Sequence, residues 1–185
     1  MTLLSNKGAP IAALASPPGK GAIAVIRLSG HDLLKKTNPL LGSIVLKDRL
    51  ATVANFLSFN DNSIIDQCVF VFFKGPKSYT GEDVIEISCH GSFYIVDSIL
   101  NELFSCGFNQ ALPGEFSFRA FINNKIDLIQ AESIASLIKS QTKNSALPSL
   151  KNLTGYFSKE VLNIKNNMIN LLMILEHELD FSEDE

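Results

Sequence analysis

The sequence predicts an α+β chain, a mixed-sheet region followed by long helices. Three observations carry that reading. Up to about residue 90, short β-like apolar runs are punctuated by Gly, Pro and Asn. From residue 91 to about 117 the pattern is one helix and a short return segment. From about residue 118 Gly and Pro nearly vanish, and apolar residues fall at helical spacing. Strands mixed with only two short helices favour an α+β sheet over a doubly wound one, which would alternate strand and helix throughout. The predicted domains are therefore 1–117 and 118–185.

Each element follows from local chemistry. Residues 10–16 and 22–29 are apolar β candidates separated by Pro17-Pro18-Gly19-Lys20-Gly21, a cluster that cannot continue a strand. After the Ser29-Gly30 break, 31–37 predicts a short helix. Residues 51–59 alternate, 64–73 are rich in Val, Phe and Ile, and 83–89 alternate again, so all three predict strands. The spacing of Phe93, Ile95, Val96, Ile99, Leu100 and Leu103 predicts a helix over 92–104, ended by Cys106-Gly107. The stretch Leu112 to Phe121 reads as the start of a helix, and Asn123-Asn124 as a turn. Asp127 suits the first turn of a helix over 126–138. From Leu150 to Leu179 the apolar positions step by three and four, which predicts one amphipathic helix of ~30 residues, ~45 Å long. So long a stripe needs a partner surface, either more helices of this protein or another chain.

Composition narrows the function classes. With 46% apolar and 19% charged residues among 185, the chain has material for a sizeable core and does not read as disordered. No apolar run reaches the ~18–20 residues that span a bilayer. The N-terminus shows no basic region followed by a long apolar stretch, so it does not read as a secretion signal. A soluble cytoplasmic protein with no membrane partner is the expectation. Net charge is −3, but the last ten residues hold six acids and no Lys or Arg; without them 16 bases face 13 acids. That surplus is too small to predict nucleic-acid binding by charge alone. Cys68, Cys89 and Cys106 are odd in number and widely spaced, with no zinc-like cluster, and read as reduced, mostly buried thiols.

Several segments bear on chemistry. Pro18-Gly19-Lys20-Gly21 is not a phosphate-binding P-loop, because Leu14 stands where the first Gly is required and Gly21 where Ser or Thr is required. Arg27 lies in an apolar strand, on one side with Ile23 and Val25, while Ala24, Ile26 and Leu28 take the other. Its guanidinium must meet an anion or reach water. Two readings stay open for it: an internal salt bridge or strand-end charge, and a ligand contact. Glu86 shares a strand face with Val84 and Ser88. It can pair with Arg27, or accept parallel N–H donors from a flat heterocycle. His90 reads as structural or catalytic. Lys125 stands where a sheet region meets helices, a place that often lines clefts, or is a plain surface lysine. No catalytic residue and no metal ligand set is predicted.

Long motifs in a fixed order then point further. They are Ala15 to Gly21 with Val25-Ile26-Arg27-Leu28-Ser29-Gly30, Gly75-Pro76-Lys77-Ser78-Tyr79-Thr80-Gly81-Glu82 through Ile87, and Leu112-Pro113-Gly114-Glu115-Phe116-Ser117 through Gln130-Ala131-Glu132. With the tail Glu176 to Phe181, they resemble the MnmE (TrmE) family of tRNA-modification GTPases over essentially the whole chain. The resemblance implies an N-terminal domain akin to the folate-binding aminomethyltransferase group. That domain binds a tetrahydrofolate derivative, 5-formyl- or 5,10-methylene-tetrahydrofolate, and makes a homodimer. It also implies a helical domain into which a G domain is inserted, so that the chain is expected to stop before that domain. GTP, potassium and magnesium would belong to the G domain, and this stretch alone would not hydrolyse GTP. The family's folate contacts match Arg27, Glu86 and Lys125. Its reaction modifies C5 of the wobble uridine of tRNA to carry an aminomethyl or carboxymethylaminomethyl group, together with the flavoprotein MnmG (GidA). The alternative is a dimerisation module whose folate site has decayed. One departure is Ser92, where the family commonly has a second Gly after His-Gly; a positive φ there would strain serine.

Overall fold

The computed structural model describes residues 8–42 and 44–181, with backbone alone at 180 and 181. The predictions made from the first seven residues and from the terminal acids Glu183, Asp184 and Glu185 lie outside the described residues. The chain divides into two compact units between Lys125 and Ile126. This is later than the predicted boundary at 117/118, and helix α3 (Glu115–Ile122) is the reason. By texture it belongs with the helices, yet its buried Arg119 bonds the Ala9 carbonyl and the Glu82 carboxylate of the sheet unit.

In the first unit six strands form one sheet in the order β3-β4-β5-β2-β1-β6. They are β1 (Ile11–Leu14), β2 (Ile23–Gly30), β3 (Thr52–Leu57), β4 (Ile64–Phe73), β5 (Asp83–His90) and the two-residue β6 (Asn109–Gln110). All neighbours are antiparallel except β1 and β6, so the sheet is mixed as predicted. Strand alternation sorts the side chains. Ala24, Ile26 and Leu28 of β2, Ile85 and Ile87 of β5, and Phe70 and Phe72 of β4 are buried on one face. Helix α1 (Leu33–Thr37), a 3₁₀ turn (Asn38–Leu41) and α2 (Phe93–Ser105) supply the covering apolar residues, among them Leu33, Leu40, Ile99 and Leu103. Burying each such side chain contributes about 1.5–3 kcal/mol.

The opposite face is covered at one end only. Cross-strand rows run Ser29–Val84–Phe73, then Arg27–Glu86–Val71, then Val25–Ser88–Val69. Ser29 and Val84 are fully buried, and Thr80 of the following loop caps Ser29 with a 2.6 Å hydroxyl contact. Val53 and Val69 at the far end are exposed. The Arg27–Glu86 row therefore lies at the border between covered and open sheet.

The second unit holds α4 (Leu128–Lys139), α5 (Lys143–Leu153) and α6 (Tyr156–Phe181). Asp127 and Thr142 are N-caps, each completing a reciprocal capping box with the residue three positions on, which satisfies the first free N–H groups. The single helix predicted over 150–179 is corrected: Leu150 and Leu153 end α5, and α6 starts after Thr154-Gly155. Gly155 has φ +76, a left-handed turn that glycine adopts without steric cost. Spacing alone hid the break, because the apolar steps of three and four continue across it. The α6 residues Val161, Ile164, Met168, Leu171 and Leu175 are all exposed, so the stripe predicted to need a partner is uncovered among the described residues. No described helix is long and apolar enough to cross a membrane.

Candidate ligand-binding site

Arg27 and Glu86 are direct cross-strand partners on β2 and β5, and their side chains meet. Arg27 Nε and Nη2 both donate to Glu86 Oε1, at 2.9 and 2.6 Å. The pair is half-buried, with 29% and 31% of the two side chains exposed. The intramolecular salt bridge left open by the sequence is thus formed. It uses one carboxylate oxygen and one edge of the guanidinium. Glu86 Oε2 and Arg27 Nη1 make no hydrogen bond among the described residues, which leaves one acceptor and one donor of the pair unused. Two aromatic rings hold the guanidinium from other sides: its Cζ lies 5.3 Å from the Tyr79 ring centre and 5.8 Å from that of Phe116. Such cation–π contacts strengthen as water is withdrawn.

Tyr79 belongs to the loop between β4 and β5, and that loop is fixed at several points. The Tyr79 hydroxyl and Ser117 Oγ of α3 are 2.9 Å apart. Ser78 Oγ donates to the Glu82 carbonyl, and Gly75 N–H to Asp83 Oδ1. Asn123, just after α3, donates from Nδ2 to the Thr80 carbonyl at 2.7 Å. Gly81 has φ +80, and a Cβ there would sit 3.0 Å from Asn123 Cβ and 3.3 Å from Lys125 Cγ, so both conformation and space demand glycine. Lys125 follows in the same turn, and its Nζ donates to the Pro76 carbonyl at 3.0 Å.

The three predicted residues thus divide. Arg27 and Glu86 are brought into contact. Lys125 is exposed, touches the same loop at Pro76 and Gly81, and makes no hydrogen bond or ion pair with either Arg27 or Glu86.

Beneath the loop runs a buried polar network that sequence reasoning missed. Ser29 Oγ donates to Glu82 Oε2 at 2.8 Å, and Arg119 Nη1 donates to the same oxygen at 2.9 Å. Arg119 Nη2 donates to Glu115 Oε1 at 3.0 Å, and Glu115 Oε2 accepts from the Leu112 N–H. Every buried side-chain nitrogen and oxygen described has a partner, as burial of charge requires. A signal was present: Glu115 and Arg119, four apart in an otherwise apolar helix start, can share a buried face only if paired. Tyr79 and Phe116 gave no comparable signal, since their place depends on how the loop folds.

Other side chains considered from sequence resolve simply. His90 is exposed, and its Nδ1 lies 2.7 Å from Asp66 Oδ1, a surface pairing. Burial pushes the Asp66 carboxyl up, but hydrogen bonds from the His90 backbone and ring and from the Gln67 N–H outweigh it and hold the group below its usual range. Burial raises the Cys68 thiol, and it pushes Cys89 up to about 11, with the Asp66 charge adding to both. These are inert core thiols, as expected. Ser92 has φ −100, extended backbone at the start of α2, so the strain anticipated for it does not arise.

Comparison with known proteins adds to this geometry. Residues 10–125 match the family model described as the GTP-binding protein TrmE N-terminus, and residues 128–185 match the MnmE helical domain. Similar curated proteins include the tRNA modification GTPase MnmE of Legionella pneumophila (strain Corby), 45% identical over 175 residues, covering 95% of this chain and 39% of that protein. The tRNA modification GTPase MnmE of Francisella tularensis subsp. holarctica (strain LVS) is also 45% identical, over 95% of this chain and 38% of its own length. The chain therefore spans well under half the length of the curated relatives it matches.

Proposed function

The chain belongs to the MnmE (TrmE) family, and from that premise we propose that its sheet unit binds a tetrahydrofolate one-carbon carrier, with the Arg27–Glu86 pair as the recognition point. The observation that carries the reading is the unused half of that pair. A carboxylate has about four lone-pair sites, and Arg27 occupies one oxygen only. Glu86 Oε2 is free to accept the 2-amino and ring N–H groups along one edge of a pterin. Arg27 Nη1 can donate to an acceptor beside them. Tyr79 and Phe116 border the pair with flat apolar surface, which suits a flat ring.

In this reading the folate, as 5-formyl- or 5,10-methylene-tetrahydrofolate, supplies a one-carbon unit when bound. The unit is destined for C5 of the wobble uridine of tRNA, giving an aminomethyl or carboxymethylaminomethyl group. The protein would act in the cytoplasm as a homodimer with the flavoprotein MnmG. GTP hydrolysis, the activity named in the relatives, would lie outside the residues of this chain. A charged acceptor makes hydrogen bonds of ~1.5–3 kcal/mol, so Glu86→Gln should weaken 5-formyltetrahydrofolate by that amount while the fold persists. Isothermal titration measures it. No heat with the unaltered chain would favour the decayed-site module instead; equal affinity of Glu86→Gln would remove Glu86 from the site.

A further inference from the structure

We infer that Lys47, Arg49, Lys74 and Lys77 form a docking surface for the sugar-phosphate backbone of an RNA, set beside the Arg27–Glu86 pair. The inference rests on the reading above, in which tRNA brings its uridine to a carrier held at that pair, and it adds where the RNA rests.

The fold gathers charges that the sequence keeps apart. Residues 47–49 run against the end of β4, where Asp48 bridges Phe72 and the Arg49 N–H donates to the Phe72 carbonyl at 2.7 Å. The Lys74 N–H donates back to Asp48 Oδ1 at 2.8 Å, and the Lys77 N–H to the Lys74 carbonyl at 3.1 Å. Arg49 Nη2 donates to the Lys77 carbonyl, and its Cζ stands 5.6 Å from the Phe73 ring centre. Leu46 and Phe72 are buried, so both segments are anchored, while all four cations are exposed.

Little inside the chain neutralises them. Asp48 lies 3.9 Å from Arg49, and Asp83 nearby accepts the Gly75 N–H. Lys125 meets the same turn at the Pro76 carbonyl and adds to the positive field. Among the described residues, the side chains of Lys47, Lys74 and Lys77 make no ion pair. Like charges held together without internal partners raise a potential that draws an anion. A nucleic-acid backbone presents anions in a row, so spread cations can each meet one, and the guanidinium fork of Arg49 suits a phosphate. Position favours RNA as the occupant. Lys77 is two residues from Tyr79, whose ring borders Arg27, and two residue steps span at most ~7 Å. A polynucleotide held by these cations lies next to the proposed carrier.

The test uses this chain and a fluorescein-labelled RNA hairpin of anticodon-stem-loop size, followed by anisotropy across a KCl series. The double variant Lys74→Gln/Lys77→Gln should weaken binding about tenfold at roughly 0.1 M salt. It should also flatten the dependence of log affinity on log salt by about 0.9 per lost contact. Lys74→Arg/Lys77→Arg should retain binding. Lys35→Gln/Lys36→Gln, which removes the same charge from α1, should leave binding unchanged, and circular dichroism checks that each variant is folded. Equal loss in the α1 variant overturns the inference, as does no binding by the unaltered chain at low salt. Binding to phosphatidylglycerol vesicles that exceeds hairpin binding and falls with Lys74→Gln/Lys77→Gln overturns it in favour of a membrane. Calorimetry with 5-formyltetrahydrofolate judges the carrier reading separately: RNA bound without folate refutes that reading and upholds the surface.

Discussion

In the sheet unit Ile26, Leu28, Leu33 and Ile85 are completely buried, and the ions Glu115 and Arg119 are sealed in with their partners. In the helical unit the buried residues among those described are Ser133 and Ser149, while along α6 Leu171 and Leu175 stay about 60% exposed. Both units follow their sequence periodicity, yet only one of them turns its apolar residues into a core. Periodicity states which residues share a face. It does not state whether that face is covered within the same chain. The sheet unit is thus where single side chains carry large energies, and where a ligand site can be held rigid. The helical unit's local structure is set by its caps and by one glycine.

Removing the central ion of the sheet unit should break this contrast most sharply. Arg119→Met leaves Glu82 and Glu115 buried without their cation, and the loss should be about 3–5 kcal/mol, read from urea denaturation. A loss below 1 kcal/mol would mean the network is not buried as described. Next in size is Gly155→Ala, which forces a Cβ into the left-handed turn between α5 and α6. It should cost about 1–2 kcal/mol, seen in thermal melts by far-UV circular dichroism. No neighbour would obstruct the added Cβ, since the nearest atom, Gln130 Nε2, is 3.7 Å away, so the whole effect is conformational. Smallest is Leu171→Gln on exposed α6, expected to change stability by less than about 0.5 kcal/mol. A large loss there would show that the stripe is covered in solution.

Much of the sheet was legible because alternation is a strict code. β4 occupies the predicted span, and the two faces of β2 and β5 fall as alternation requires. From those faces the meeting of Arg27 with Glu86 was one of two open readings, and the register decides it. The α5–α6 break was illegible because a two-residue turn preserves apolar steps of three and four. The aromatic border of the pair was illegible for another reason. Tyr79 reaches Arg27 only through a loop whose shape depends on Gly81 and Glu82 and on their partners Asn123 and Arg119, about forty residues away in sequence.

A crystal structure of this chain soaked with 5-formyltetrahydrofolate puts the central claim to its most direct trial. The pterin edge should lie within hydrogen-bonding distance of Glu86 Oε2, with Arg27 still on Oε1 and the Tyr79 ring beside it. Ligand bound elsewhere, with the outer oxygen of Glu86 still facing water, would contradict the account.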